Sequence, residues 1–376
     1  MAYTEYANDS EKRKTVTLSI TESCNLDCVY CYEHNKTNRT MSIDLAKTII
    51  DNEMNSDPQF DTIEIDLFGG EAFLAFDTIK KITRFIREMS YNRKYFIFIT
   101  TNGTLVHGEI QDWLRLNKDI VFCGLSLDGG RETQNYNRSN SFDLIDLDFF
   151  KELYPQQDIK MTISNDRLPF LFEDVVFCHS KGFRISNNLA YGIDWTNKKN
   201  ETELKNNLLM LINYYLEHPY IEPCSLLNSG IDTLGYNNSN TVNKKWCGTG
   251  FNMRAYDIDG NKYPCQFFLP LSIGKEKAAK AKSIKFLKEI PNDLLDQKCR
   301  DCLIKELCPS CYGSNYAATG NIYIKDDGMC KLTKIIIKAR AYFKFEQWKR
   351  GQLKDLDEIS EQALLRSIVK INNFEE

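Results

Sequence analysis

The chain is poor in histidine: four occur in 376 residues, His34, His107, His179 and His218. Acid–base chemistry centred on imidazole is therefore not expected, and all four read as surface or packing residues. Nowhere does an apolar run approach the ~20 residues that span a bilayer, and Met1 to Lys14 is polar and charged, unlike a secretory signal. No membrane partner is expected on that ground. Basic residues form no stripe, and a net charge of −4 with a pI near 5.8 argues against nucleic acid as a partner. What the chain does hold is cysteine, thirteen in all. In a leaderless chain that number reads as reduced metal ligands in a cytoplasmic protein rather than as disulfides. The 42% apolar content is ample for one large domain and a smaller one.

Three of the thirteen, Cys24, Cys28 and Cys31, fall in the run Thr-Glu-Ser-Cys-Asn-Leu-Asp-Cys-Val-Tyr-Cys-Tyr. A cubane 4Fe–4S cluster takes one soft, deprotonated thiolate per iron. A C-x3-C-x2-C loop serves three irons and leaves the fourth open to chelate an amine and a carboxylate. The competing reading is a zinc knuckle, with His34 of Cys-Tyr-Glu-His as fourth ligand. The flanking sequence decides between them. A β-rich run, Thr15 to Ile20, leads into the loop. Gly69-Gly70-Glu71 follows the apolar run Ile63 to Phe68, and Thr101-Asn102-Gly103-Thr104 follows Tyr95 to Ile99. Ser126-Leu127-Asp128-Gly129 follows Val121 to Leu125. Each Gly-Gly or Asp-Gly alone marks an ordinary turn. A series of them, each closing a strand, does not suit a zinc knuckle.

On these segments and their order the chain resembles the radical S-adenosylmethionine (SAM) superfamily. The resemblance implies that SAM docks on the open iron and that one electron from the cluster releases a 5′-deoxyadenosyl radical. It implies that Tyr30 stacks the adenine and that Gly69, Gly70 and Glu71 bind the methionyl amine. It extends the cofactor contacts to Asn102, Ser126, Asp128, Arg138 and Ser164, with Arg138 facing a carboxylate of the bound cofactor. The His-Asp that the family carries after Ser-x-Asp-Gly is Gln134-Asn135 here. A flavodoxin- or ferredoxin-type protein is the expected electron donor.

Helical spacing runs through Leu45, Ile49, Ile50 and Met54, and through Ile79, Ile82, Phe85, Ile86 and Met89 behind Asp77 as an N-cap. Trp113, Leu114 and Leu116 suggest a shorter helix, Leu144, Leu147, Phe150 and Leu153 another. Val175, Val176 and Cys178 lie on a helix ending near Gly182. Lys160 to Ser164 and Arg184 to Ile193 read as a fifth and a sixth strand. With the resemblance, this gives an α/β chain: a partial (β/α)6 TIM-like barrel over residues 1–196 whose C-terminal rim gathers the motifs. A bridging helix (Leu204 to Leu216) and an Asn- and Ser-rich loop (Leu227 to Asn243) occupy 197–245.

Cysteines return after Trp246, at Cys247, Cys265, Cys299, Cys302, Cys308, Cys311 and Cys330. Seven thiolates exceed what one metal uses. A zinc ribbon wants ~15–20 residues between its cysteine pairs, whereas five separate Cys302 from Cys308. The pattern resembles the SPASM extension, over 246–335, which implies two auxiliary 4Fe–4S clusters and three clusters in all. By that resemblance Cys299, Cys302, Cys308 and Cys330 hold the second auxiliary cluster, and Cys247, Cys265 and Cys311 the first. The family usually spaces its last paired cysteines by three residues, while Cys308-Pro-Ser-Cys311 has two. The first auxiliary cluster lacks an evident fourth ligand. Sulfatase-maturing relatives supply one where Met253 stands, and Cys224 is either that ligand or a structural thiol. Cys123, beside Phe122, and Cys178, beside Phe177, read as core. Residues 336–376 form a C-terminal helical segment expected to pack against the barrel.

SPASM proteins resemble one another most in acting on peptide side chains, so a ribosomally synthesised precursor peptide is the expected substrate. The sulfatase maturases place an Asp, their general base, directly after the second SPASM cysteine. Gln266 stands there in this chain and cannot accept a proton as a carboxylate does. An intramolecular crosslink is therefore preferred to formylglycine formation. A thioether is slightly preferred to a C–C or C–O bond, because a substrate thiolate can ligate an open iron. With 23 residues before Cys24, leader recognition falls to the barrel and SPASM surfaces or to a separate leader-recognition protein. A non-catalytic iron–sulfur electron carrier is the alternative of another class. Such a carrier has no use for Gly69-Gly70-Glu71 or for Ser126 and Asp128.

Overall fold

The computed structural model describes residues 12–236, 247–353 and 356–374. Trp246 and the end of the Asn- and Ser-rich loop, 237–243, lie outside the described residues. Among the described residues no helix is long and apolar enough to cross a membrane.

Four parallel strands form the frame: β1 (Arg13–Thr21), β2 (Thr62–Gly69), β3 (Lys94–Thr101) and β4 (Val121–Leu125), in the order β4-β3-β2-β1. Helices α1 (Ile43–Asn55), α2 (Phe76–Glu88) and α3 (Glu109–Asn117) connect them. Parallel strands need such crossovers, and they bury near-continuous apolar runs. Val16, Leu18, Ile20, Ile63, Ile65, Leu67, Phe96, Ile97 and Ile99 are all fully buried. Because the strands run the same way, the four segments that follow them meet at one rim. The chain then forms α4 (Arg131–Asn137), α5 (Leu147–Leu153), β5 (Ile159–Ile163), α6 (Leu171–Ser180) and β6 (Ile185–Leu189). β5 and β6 pair as a two-stranded sheet, and a bridge from Ser126 to Lys160 links the end of β4 to β5. The architecture is α/β and TIM-like.

Several expectations shift in detail. Helix α2 begins at Phe76 with no side-chain cap, and Asp77 lies within its first turn, where it pairs with Lys80. The helix expected over Leu144 to Leu153 divides. A 3-10 turn covers Phe142–Leu144, and Asp146 caps α5 by accepting from the Phe149 N–H. β6 stops at Leu189, short of Ile193, because the chain turns through Gly192 at φ +80°. Cys123 and Cys178 are core, 1% and 0% exposed.

The larger difference concerns the cysteine-rich half. β7 (Met253–Tyr256) joins the parallel sheet at the free edge of β1, Thr15 opposite Met253 through Leu18 opposite Tyr256, and β8 (Lys262–Tyr263) adds antiparallel to it. Residues 1–160 and 248–286 form one compact unit, and 161–247 and 287–376 a second. The second unit contains α7 (Lys198–Glu217), α8 (Asp327–Lys349) and α9 (Glu358–Asn372). Its core gathers Ile231, Leu234, Ile304, Leu307, Ile337 and Leu364. The C-terminal helices α8 and α9 bury their apolar faces within this second unit, which also holds residues 161–196 of the expected barrel.

A buried ionic cluster ties β1, α1 and β7 together in the first unit. Lys14 is fully buried and donates to the Glu53 carboxylate (2.8 Å), the Glu53 carbonyl (2.6 Å) and Asp57 (3.1 Å). Arg254 pairs with Glu53 at 2.7 Å and with Asp57, and the Tyr256 hydroxyl donates to Glu53. Burial pushes the Glu53 carboxyl up. The bonds from Lys14 and Tyr256 and the charges of Lys14 and Arg254 outweigh it and hold the group at about 2. The cluster therefore stabilises the fold fully above the ordinary glutamate range and loses that contribution as pH falls from about 4.5 through about 2. Glu53→Gln, which leaves Asp57 as the one carboxylate facing Lys14 and Arg254 among the described residues of this cluster, should cost about 2 kcal/mol. Urea unfolding should then show the wild-type advantage over this variant at pH 7 shrinking steadily below pH ~4.

Candidate functional site

The site is built on a contact that excludes a side chain. Gly69 has φ +148°, and a Cβ there would lie 2.0 Å from the Thr21 carbonyl oxygen. A Cβ on Gly70 would meet the Ser23 carbonyl oxygen at 2.3 Å and the Cys24 Cβ at 2.8 Å. The end of β2 thus lies directly against the end of β1, where the cysteine loop starts. The Gly70 and Glu71 N–H groups donate to Thr21 O (3.3 Å) and Ser23 O (2.8 Å).

The loop itself is pinned from several strands. Asn25 donates to Thr104 (2.8 Å) and accepts from Asn102 (2.9 Å), the Asp27 N–H donates to Ser139 (2.9 Å), and the Val29 N–H to Asn137 O (3.0 Å). Cys24, Cys28 and Cys31 are half-buried and act electrostatically on one another. Burial pushes all three thiols up, Cys28 to about 11. The Lys36 ammonium, beside all three sulfurs, is held up by them. Among the described residues, no three Cys, His, Asp or Glu side chains gather around one point, as the ligands of a single zinc ion do. A cubane takes each thiolate at a separate corner. His34, the knuckle's fourth ligand, is exposed.

Two carboxylates organise the rim. Glu71 accepts from the Phe73 N–H (3.1 Å), the Thr101 hydroxyl (2.8 Å) and the Asn102 N–H (2.8 Å), while burial pushes its carboxyl up. Asp128 accepts both arms of the Arg138 fork (3.0 and 3.1 Å), the Asn137 amide (3.1 Å) and the Tyr30 hydroxyl. Tyr30, expected beneath an adenine, has its ring under Arg138, 5.4 Å from the guanidinium. Arg138, expected opposite a cofactor carboxylate, spends two donors on Asp128, and its charge also reaches Cys28 and Glu71. Gln134 accepts the Asp128 N–H at 2.9 Å and donates to Ser141, so it latches the rim from within the fold. Ser126 is buried there too, its N–H on Thr101 O. Ser164 is buried in the second unit.

Two residues escaped the sequence reading, Glu33 and Lys36. Glu33 is 6% exposed, and its Oε1 has no hydrogen-bond partner among the described residues. Burial pushes its carboxyl up to about 8 against the pull of Lys36. The signal was a pair of opposite charges following Cys31 in Tyr-Glu-His-Asn-Lys. An orphaned carboxyl oxygen near Cys31 and Lys36 fits a ligand set that brings positive charge, as iron and the ammonium and sulfonium of SAM do.

The remaining cysteines fall into groups. Cys299, Cys308 and Cys330 act on one another, and the Cys302 N–H donates to Cys299 O. Cys247 and Cys311 interact, with Tyr191 beside both. Cys265 belongs to the first unit, where the neighbouring Phe267 stacks on Tyr32 at 4.5 Å. Cys224 is fully buried among Tyr215, Asn187 and Arg340, the setting of a packed structural thiol.

A TIM-like parallel sheet whose C-terminal rim carries a three-cysteine loop against a Gly-Gly turn is the arrangement that the resemblance to the radical SAM superfamily implies. Residues 18–146, about a third of the chain, match the model of the Radical SAM superfamily. It is 29% identical over 201 residues to the uncharacterised protein MJ0907 of Methanocaldococcus jannaschii, covering 52% of this chain and 68% of that protein. It is 32% identical over 143 residues to the cysteine-type anaerobic sulfatase-maturating enzyme of Clostridium perfringens, covering 35% of this chain and 36% of that enzyme. Among solved structures it is similar to anSMEcpe with bound AdoMet and Cp18Cys peptide. There the TM-score is 0.67 at 18% identity, over 90% of this chain and 99% of that one. It is also similar to Streptococcus suis SuiB bound to precursor peptide SuiA, at TM-score 0.56 and 15% identity over 87% and 79%. The cysteine-rich C-terminal part fits the SPASM type of radical SAM enzyme.

Gly70→Ala should force Ser23 and Cys24 away from β2. The expected outcome is a loss of about 1–3 kcal/mol in urea unfolding and a clear fall in iron per chain after anaerobic reconstitution.

Proposed function

We propose that this enzyme modifies a ribosomally synthesised precursor peptide, closing an intramolecular crosslink of which a thioether is the preferred form. When bound, SAM and a 4Fe–4S cluster supply a 5′-deoxyadenosyl radical able to take hydrogen from an unactivated carbon. In this reading Cys24, Cys28 and Cys31 hold that cluster and Lys36 balances part of its charge. Gly69 and Gly70 admit the methionyl end of SAM, and Glu71 faces its ammonium. Tyr30, Asn102, Ser126, Asp128 and Arg138 fix the walls of the same pocket. Cys299, Cys302, Cys308 and Cys330 hold one auxiliary cluster, and Cys247 and Cys311 contribute to another.

The observation that carries the choice of reaction is residue 266. A formylglycine-forming enzyme needs a base, and Gln266 offers an amide whose Oε1 is buried without a partner among the described residues. The packed setting of Cys224 adds support, because it removes that thiol from the ligands of the cluster at Cys247 and Cys311 and leaves a position for a substrate thiolate. The product would then lack two hydrogens as a C–S bond replaces a C–H and an S–H: one hydrogen atom would leave in 5′-deoxyadenosine, the other as a proton, and the remaining electron would pass to an iron–sulfur cluster. Formylglycine formation is the second reading, favoured by the alignments to cysteine-type and serine-type sulfatase-maturating enzymes.

Two measurements test this. Alanine at Cys24, Cys28 and Cys31 together should remove about four irons and abolish conversion of SAM to 5′-deoxyadenosine, and unchanged cleavage would reject the assignment. The intact enzyme, given SAM, reductant and a Cys-x-Pro-x-Arg peptide, should yield no aldehyde by mass spectrometry. A cysteine-bearing precursor encoded beside it should lose two hydrogens. Formylglycine in the first peptide reverses the choice.

A further inference from the structure

In the second unit a buried lysine lies against sulfur. Lys325 is 8% exposed, and its Nζ is 2.6 Å from Cys308 Sγ and 2.6 Å from the Pro309 carbonyl oxygen. The segment that carries it is held at both ends. Lys298 donates to the Lys325 carbonyl at 2.6 Å and pairs with Asp296 and Asp327, while Asp326 caps α8 by accepting from the Met329 N–H. The charge of Lys325 acts also on Cys299 and Cys330. On another side Cys302 and Cys308 pack against the apolar cluster of Ile231, Leu234, Ile304 and Leu307.

A buried ammonium is costly unless an anion faces it. The two acceptors at Lys325 are a carbonyl and a cysteine sulfur, and of these only the sulfur can become an anion, as the thiolate of a metal ligand. The arrangement thus makes sense with Cys308 metallated. Iron–sulfur potentials follow net charge, hydrogen bonds to sulfur and exposure. Reduction adds a negative charge, which a fixed cation in contact with a ligand sulfur stabilises, and an apolar wall strengthens that interaction.

We propose that Lys325 is a positioning residue of the second auxiliary centre: its ammonium pairs with the Cys308 thiolate and holds that centre at a higher reduction potential than the four cysteines would give alone. The inference rests on the reading of Cys299, Cys302, Cys308 and Cys330 as ligands of one 4Fe–4S cluster. Lys325 keeps this centre poised to accept an electron, while the lysine near the first three cysteines, Lys36, belongs to a different unit and a different centre.

The test is a redox titration of the full chain, reconstituted anaerobically and followed by electron paramagnetic resonance, with Cys24, Cys28 and Cys31 replaced by alanine so that only the auxiliary centres report. Lys325→Met should keep its iron and shift the reduction equilibrium of one centre at least tenfold toward the oxidised form, about 59 mV more negative for one electron. Lys325→Arg should restore most of the shift, and Lys349→Met, at the far end of α8, should leave the midpoint in place. Where Met at 325 loses iron, Lys325→Gln, which keeps a donor without the charge, should show the same direction of shift. A loaded variant with an unchanged midpoint overturns the role of Lys325. Full iron content in Cys308→Ala overturns the four-cysteine reading itself, a separate result from the first.

Discussion

The absence of a side chain at two positions governs this site. Gly69 and Gly70 let the end of β2 touch the backbone of residues 21–24, so the place where Cys24 leaves β1 is set by backbone contact. From there a ring of bonds closes. The Glu71 N–H holds Ser23, the Glu71 carboxylate holds Thr101 and Asn102 at the end of β3, and Asn102 returns to Asn25 inside the cysteine loop. Asp128 adds the end of β4 through Tyr30, and α4 through Asn137 and Arg138. Each member constrains two others, and rigid support of this kind is what keeps a reacting constellation in register.

Much of this was legible in the sequence because of how parallel sheets are made. β1 to β4 are short apolar runs, each closed by turn-forming residues, and that pattern survives in one dimension. The strand β7 did not. It is four residues long, contains the charged Arg254, and finds its partner in β1, over two hundred residues earlier. Nothing local marks such a pairing, and the cysteines around it drew the reading toward a separate domain. The division into units was hidden for the same reason. At the site, residue types with one conformational meaning, such as Gly69 and Gly70, were found from sequence. Arg138 was recognised, but its use on Asp128 depends on a geometry that spacing does not encode. Glu33 and Lys36 are ordinary residues in any composition and become notable only when burial is known.

The cysteines share an electrostatic condition. Burial raises the thiols at Cys28, Cys299 and Cys311, each to about 11. In the metal-free chain they are therefore protonated at neutral pH, and a protonated thiol is a poor nucleophile. Metal ligation has to expel those protons, so cluster assembly is coupled to proton release. Lys36 and Lys325 stand where the resulting negative charge appears.

The late arrival of β7 has a consequence for the making of the protein. The edge of β1 that β7 covers is a row of unpaired backbone groups until residues 253–256 are available. At translation rates of 5–20 residues per second, that interval is roughly 10–50 s. During it the nascent chain carries an open strand edge next to a complete three-cysteine loop. A bare edge of this kind recruits other strands, and an unfilled loop is open to stray metals and oxidants. Synthesis order thus sets a window in which a chaperone or an iron–sulfur carrier meets the chain before its sheet is closed.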